Sequence, residues 1–220
     1  MTNNSKLRYL LATSVPVLLI TPALAWASSS TERLHLQHLQ NRGVLECAFK
    51  REPSSNVFED VLGSQREEVC IMQKMDLFKS QCSSNDSRSC YYYAVNIDPS
   101  YNEFSLYSNL EAKSSYRVAV SYYKKGCDLG LPYACSRFGK YTLEGKGTRQ
   151  DESLGISILE RACNSSAGEA CMTLGEHYSN ESIGANPVSE MYYRKKAAGY
   201  YGKACDLGWE EGCTNYSIYK

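Results

Sequence analysis

The chain has 220 residues, with 24 Lys and Arg against 24 Asp and Glu, 43% hydrophobic residues and 22% charged ones. That hydrophobic fraction excludes a disordered chain and allows a sizeable core in one or two domains. Zero net charge gives no electrostatic reason to expect nucleic acid or an anionic membrane as partner.

Residues 1–27 read as a secretory signal. Lys6 and Arg8 supply the positive start, Leu10 to Leu19 the apolar stretch, and Ala23-Leu24-Ala25 or Ala25-Trp26-Ala27 a small-x-small site, with cleavage after 25 or 27. A membrane anchor is the competing reading, but Thr13, Ser14 and Pro16 interrupt the run, which is short for a bilayer span. No later segment could span a membrane. Removing residues 1–25 takes away two positive and no negative charges, which leaves 22 against 24. Export predicts a periplasmic or secreted protein whose cysteines can oxidise. Residues 28–43, with Leu34, Leu36 and Leu39, form a leading segment or helix, expected to cap the repeats that begin at 44.

All ten cysteines follow the signal. Eight fall into four couples with one spacing: Cys82/Cys90, Cys127/Cys135, Cys163/Cys171 and Cys205/Cys213 are each eight positions apart. On one continuous helix such residues would lie about 12 Å apart, whereas a disulfide needs Cα atoms closer than about 7 Å. The chain must therefore turn back inside each couple. Asp128-Leu129-Gly130, Asn164-Ser165-Ser166 and Asp206-Leu207-Gly208 supply the polar residues or glycine that suit a left-handed helix end there. Each couple should clamp two consecutive helices, and a nine-residue loop gives about 2.6 kcal/mol per clamp on chain-entropy grounds. Cys47 and Cys70, 23 positions apart, form the remaining couple and could bridge two helices of an atypical first unit.

Metal binding is the rival use of so many cysteines. Structural zinc sites place ligand pairs two to four residues apart, no cysteine here has a partner that close, and His35, His38 and His177 stand in no repeating relation to them. A free catalytic thiol meets the difficulty that no cysteine is left over once couples are drawn. No metal and no cofactor is expected.

The couples also mark an internal repeat. Cys135 to Cys171 is 36 residues and Cys171 to Cys213 is 42, the first being the period of a helix pair. Residues 134–163 run Ala-Cys, Phe138-Gly139, Gly145-Lys146-Gly147, Asp151, Ala162-Cys163; residues 170–205 repeat Ala-Cys, Leu174-Gly175, Tyr178, Pro187, Ala204-Cys205. The six extra residues of the second unit belong around 179–189, in the inter-helix loop or a lengthened helix that Asn186-Pro187 would start. Gly139 and Gly175 should permit close helix approach, Gly145-x-Gly147 should end one helix and Asp151 begin the next.

At Tyr122-Tyr123-Lys124-Lys125-Gly126-Cys127-Asp128-Leu129-Gly130, Leu174-Gly175-Glu176-His177-Tyr178 and Tyr200-Tyr201-Gly202-Lys203-Ala204-Cys205-Asp206-Leu207-Gly208 the chain resembles the Sel-one-like repeats, a branch of the tetratricopeptide superfamily, and within it the secreted bacterial cysteine-rich proteins. The resemblance covers about 116 to 220; before that the repeats diverge. Thr142 stands where a tyrosine is expected, and Ile158-Leu159 replaces the tyrosine pair. It implies an all-α fold, a right-handed α/α solenoid of disulfide-clamped helix pairs over residues 44–220. Single pairs cannot bury their own apolar faces, which argues independently for stacking.

Function is less legible. Seventeen of the eighteen tyrosines lie at or after Tyr91; in the doublets Tyr122-Tyr123 and Tyr200-Tyr201 one ring should pack between helices and its neighbour stay partly exposed. The cysteine-rich branch implies, as an alternative activity, penicillin binding with weak β-lactamase action. Ser121-Tyr122-Tyr123-Lys124 fits Ser-x-x-Lys, and Tyr107-Ser108-Asn109 loosely fits a second element, but no Lys-Thr-Gly accompanies them. Ser and Lys three apart on a solvated helix face are common, so no catalytic residue is assigned. His177 at a concave-facing position, Glu210-Glu211 at a helix start and the basic runs Lys124-Lys125 and Arg194-Lys195-Lys196 each have sufficient structural or solvated readings. The expected partner is a protein or cell-envelope ligand bound on a concave helical face; the sequence sets no oligomeric state.

Overall fold

The computed structural model describes residues 41–44, 47, 57–102 and 116–220, with side chains of 57–68 and of residue 102 excepted. The signal, most of the leading segment and Tyr107-Ser108-Asn109 lie outside them. The chain divides into two compact units, Met1–Lys50 and Arg51–Lys220. In the first, Val44 and Cys47 are buried.

The second unit is all-helical among the described residues: α1 (Val57–Ser83), α2 (Ser87–Ile97), the single turn α3 (Pro99–Asn102), α4 (Tyr116–Asp128), α5 (Pro132–Glu144), α6 (Glu152–Asn164), α7 (Gly168–Ser182), α8 (Pro187–Asp206) and α9 (Glu210–Tyr219). Extensive helix contacts join neighbours in sequence, with α2 meeting α4 across α3 and α5 also touching α7. The apolar core runs without a break from Cys127 to Ala204.

Four helix junctions share one construction. Disulfides join Cys82 to Cys90, Cys127 to Cys135, Cys163 to Cys171 and Cys205 to Cys213, with Cα atoms 4.4 to 4.9 Å apart. Cys47 and Cys70 are also oxidised, and no cysteine is free among the described residues. Three positions after each first cysteine the backbone is left-handed, at Asn85, Gly130, Ser166 and Gly208, with φ between 68° and 87°. The amide of that residue donates to the first cysteine's carbonyl at 2.8 to 3.1 Å, and the next amide donates five residues back at 3.0 Å. This paired bonding, a Schellman cap, satisfies carbonyls that the helix end would otherwise leave open and reverses the chain within a few residues.

The other junctions follow local chemistry as well. Gly145 closes α5 with φ 71°, and the Asp151 carboxylate accepts from the Leu154 amide at the start of α6. Asn186 accepts from the Val188 and Ser189 amides with Pro187 in the first turn of α8. The six extra residues of the second unit sit mainly in α8, which has 20 residues where α6 has 13; α7 gains two over α5 and the loop before α8 shortens.

Side-chain register repeats too. Four positions before the first cysteine of three couples, Tyr123, Leu159 and Tyr201 are buried; Tyr122 and Tyr200 beside the two tyrosines are partly exposed. Opposite them, a Cβ on Gly139 would lie 2.9 Å from Leu159, and one on Gly175 would lie 2.6 Å from the Tyr201 ring. Leu159 thus fills the slot that tyrosine occupies elsewhere. Thr142 is buried with its hydroxyl donating to the Phe138 carbonyl, and the buried tyrosine is its neighbour Tyr141.

Left-handed backbone costs an L-residue roughly 1–2 kcal/mol, least for Asn and Asp and nothing for Gly. Ser166→Gly is therefore expected to stabilise the protein by about 1 kcal/mol in denaturant unfolding, with Asn85→Gly giving a smaller gain. A Ser166→Gly variant no more stable than the wild type would show that this turn is not held as described.

Candidate functional site

Charge and aromatic surface converge where α2–α3 meets α4, α5 and α7. Asp98, at the end of α2, is fully buried. One carboxylate oxygen accepts from the Tyr123 hydroxyl at 2.9 Å and the Tyr141 hydroxyl at 2.5 Å, and the other accepts from the Ser100 amide at 2.9 Å. Burial pushes the phenols of Tyr123 and Tyr141 well above their ordinary range, with Asp98 adding to the shift. Both stay protonated as donors, so the carboxylate is used up internally and ties α2 to α4 and α5.

Beside it, Arg137 on α5 pairs with Glu169 on α7 at 2.5 Å, both mostly buried, and its guanidinium lies 4.9 Å from the centre of the Tyr101 ring. Burial opposes the guanidinium charge, but Glu169 and the surrounding phenols more than offset it and hold the pKa above its ordinary value. The Ser136 hydroxyl donates to the same carboxylate at 3.3 Å. Tyr91, raised to about 12 by burial and then by Glu169, completes the wall. Nε of Arg137 is buried without a hydrogen-bond partner.

From this wall a charged surface extends over alternate helices. Glu176 on α7 lies within electrostatic reach of Lys140 and Glu144 on α5, Glu211 on α9, and Glu169 two turns back on its own helix. Its carboxyl is held above its ordinary value, first by the partial burial of the group and then by those three like charges, with Lys140 opposing. The surface carries four acids, Glu144, Glu169, Glu176 and Glu211, and two bases, Arg137 and Lys140, so it is acidic on balance.

No family model and no curated protein matches this chain.

A second aromatic group lies on α7 and α8. Tyr178 stacks on Tyr200 with ring centres 5.6 Å apart and rings nearly parallel, and Lys196 sits 4.8 Å over the Tyr178 ring and 5.5 Å over that of Tyr192. Tyr200 donates to Glu160 at 2.7 Å. Arg194 lies over Tyr219 at 5.0 Å. The basic run 194–196 is thus engaged with rings at two of its three positions rather than simply solvated, a contact that favours both cation and ring.

The sequence-derived candidates fall out separately. The Ser121 hydroxyl donates to the Val118 carbonyl at 2.7 Å, while Lys124 is held by Asp128 at 2.6 Å, so neither side chain is turned to the other. His177 faces Glu152 at 3.6 Å and the Tyr178 ring at 5.1 Å. Glu210 and Glu211 occupy the first turn of α9 as expected. Among the described residues no three His, Cys, Asp or Glu side chains gather as a metal site.

Asp98, Arg137, Glu169 and Glu176 escaped the sequence reading. The signal that could have found the surface is register: Glu169 and Glu211 both stand two positions before a second cysteine, and Lys140 and Glu176 both stand five after one. Because a raised carboxyl pKa favours folding only while the group is protonated, the Glu176 contribution is present below its unfolded pKa and lost as pH rises through the folded one. Glu176→Gln should therefore be more stable than the wild type at neutral pH, with the difference closing as pH falls through the carboxylate range. Urea titrations at a series of pH values test this; a difference independent of pH contradicts it.

Proposed function

We propose that the chain is an exported binding scaffold of the Sel-one-like kind, periplasmic or secreted, in which stacked disulfide-clamped pairs form a right-handed α/α solenoid whose concave helical face holds a protein or cell-envelope partner. Oxidised cysteines at every described position fit an oxidising compartment. Among the described residues no helix is long and apolar enough to cross a membrane.

The observation that carries the reading is the charged surface of α5, α7 and α9, where Lys140, Glu144 and Glu211 come within electrostatic reach of Glu176, and Glu169 joins it to the Tyr91 and Tyr101 wall. Extended repeat surfaces of this type recognise ligands by exposed side chains on alternate helices. An acidic balance suits a partner that brings basic groups to Glu176 and Glu211, since complementary charge sets encounter rate and orientation.

Immobilised, oxidised protein exposed to envelope and extracellular fractions should retain a partner, and Glu176→Lys with Glu211→Lys should weaken retention about tenfold or more. Retention unchanged by both reversals would overturn the assigned face. Robust lactam hydrolysis lost in Ser121→Ala, with no partner retained, would replace the binding reading by the hydrolase one.

A further inference from the structure

The four eight-residue clamps do not share one environment. Cys82, Cys90, Cys127, Cys135, Cys163 and Cys171 are at most 7% exposed, whereas Cys205 is partly exposed and Cys213 is the one exposed cysteine among the described residues. Cys127, Cys135, Cys163 and Cys171 belong to the apolar core, and the last couple stands outside it. A helix covers its own backbone, so exposure at Cys213, the fourth residue of α9, is exposure of its side chain. Thiol–disulfide exchange begins when a thiolate reaches one sulfur of the bridge, so access decides which bridge reacts.

The same clamp holds the helix that has least else to hold it. α9 has 10 residues, too few for a stable isolated helix in water, and buries Gly212 alone, where α7 buries ten residues. At its start Trp209 fills the space in front of Gly168, and at its end the Tyr219 hydroxyl meets that of Ser179. Between them Gly212 lets α9 approach Ala204 of α8, and Cys213 beside it makes the covalent link.

Charge around the bridge selects the thiol. Glu210 stands three residues before Cys213 and so shares its helix face, Glu211 stands two before it, and Asp206 follows Cys205. The one base within three residues of either sulfur is Lys203, whose ammonium is bonded to Asn164 and lies over the Tyr200 ring. These surroundings repel a thiol that carries further negative charge and favour one that carries an ammonium.

We propose that Cys205–Cys213 is a thiol-exchange site, the clamp that a cationic or uncharged dithiol reductant opens while the three inner clamps stay closed. The reductant's thiolate attacks Sγ of Cys213. A new S–S bond forms there as the old one breaks, and the electron pair leaves on Sγ of Cys205, which takes up a proton. The second thiol of the reductant then attacks its own sulfur in the mixed disulfide and releases Cys213 as a thiol. The bridge thus gains two electrons and two protons, and the dithiol is oxidised to its disulfide. Opening the clamp frees α9. Because Glu211 lies on α9, it also alters the charged surface, a consequence that rests on the binding reading; the exchange itself does not.

The native, oxidised full chain treated with dithiothreitol, quenched with an alkylating reagent and mapped by peptide mass spectrometry should label Cys205 and Cys213 about tenfold or more faster than the six inner cysteines. Cysteamine should leave its adduct on Cys213. Relative to their rates on an uncharged model disulfide, cysteamine should outpace mercaptoethanesulfonate by about tenfold, a preference that Glu210→Gln with Glu211→Gln removes. Amide hydrogen exchange over residues 210–219 should rise about tenfold or more on reduction, and equally in the Cys205→Ser, Cys213→Ser double variant, with α4 to α7 unchanged. An inner clamp that opens as fast as Cys205–Cys213 overturns the proposal. So does an indifference to thiol charge, or an α9 equally protected in the reduced and oxidised forms. No readout involves a partner, so the exchange site and the binding reading fail separately.

Discussion

Everything in the second unit hangs on a nine-residue turn used four times. A cysteine near the end of one helix, a left-handed residue three positions on, and a second cysteine in the first turns of the next helix bring the two Cα atoms within disulfide reach without loss of backbone hydrogen bonds. The crosslink and the cap act on different states. The disulfide limits the unfolded ensemble, while the Schellman bonds satisfy carbonyls in the folded one. Together they fix where each helix ends and the next begins, and hence which residues share a register.

That register explains why unlike side chains serve one purpose. Tyr123, Leu159 and Tyr201 all fill the same buried slot, and Gly139 and Gly175 have no Cβ because Leu159 and Tyr201 take its place. It also places Lys140 and Glu176, which share a register on successive units, within electrostatic reach of each other, while acids from α5, α9 and its own helix also act on Glu176. Burying Asp98, Tyr123 and Tyr141 together costs little because each polar atom finds a partner. The lengthened α8 departs from the pattern, and its extra turns carry the exposed Val188, Met191 and Tyr192.

Features coded within a few residues were legible in the sequence. The cysteine spacing gave the junctions, Asn186-Pro187 the start of α8, and Gly145 and Asp151 the ends of one loop, since each rests on local backbone chemistry. The placement of six extra residues was narrowed to loop or helix, and α8 took them. What could not be read were contacts made only by packing. Asp98 sits in an unremarkable Ile97-Asp98-Pro99 stretch, and its hydroxyl donors lie 25 and 43 residues away. Arg137 and Glu169 are 32 positions apart, and no local pattern links them. The Ser121–Lys124 motif shows the converse: correct spacing, with both side chains committed to other partners.

The central claim is that four equal cysteine spacings are four local crosslinks. Mass spectrometry of the non-reduced, proteolysed protein tests it directly. The account predicts Cys82 linked to Cys90, Cys127 to Cys135, Cys163 to Cys171 and Cys205 to Cys213, each within one short stretch of chain. Free thiols at these positions, or links between different couples, would contradict it.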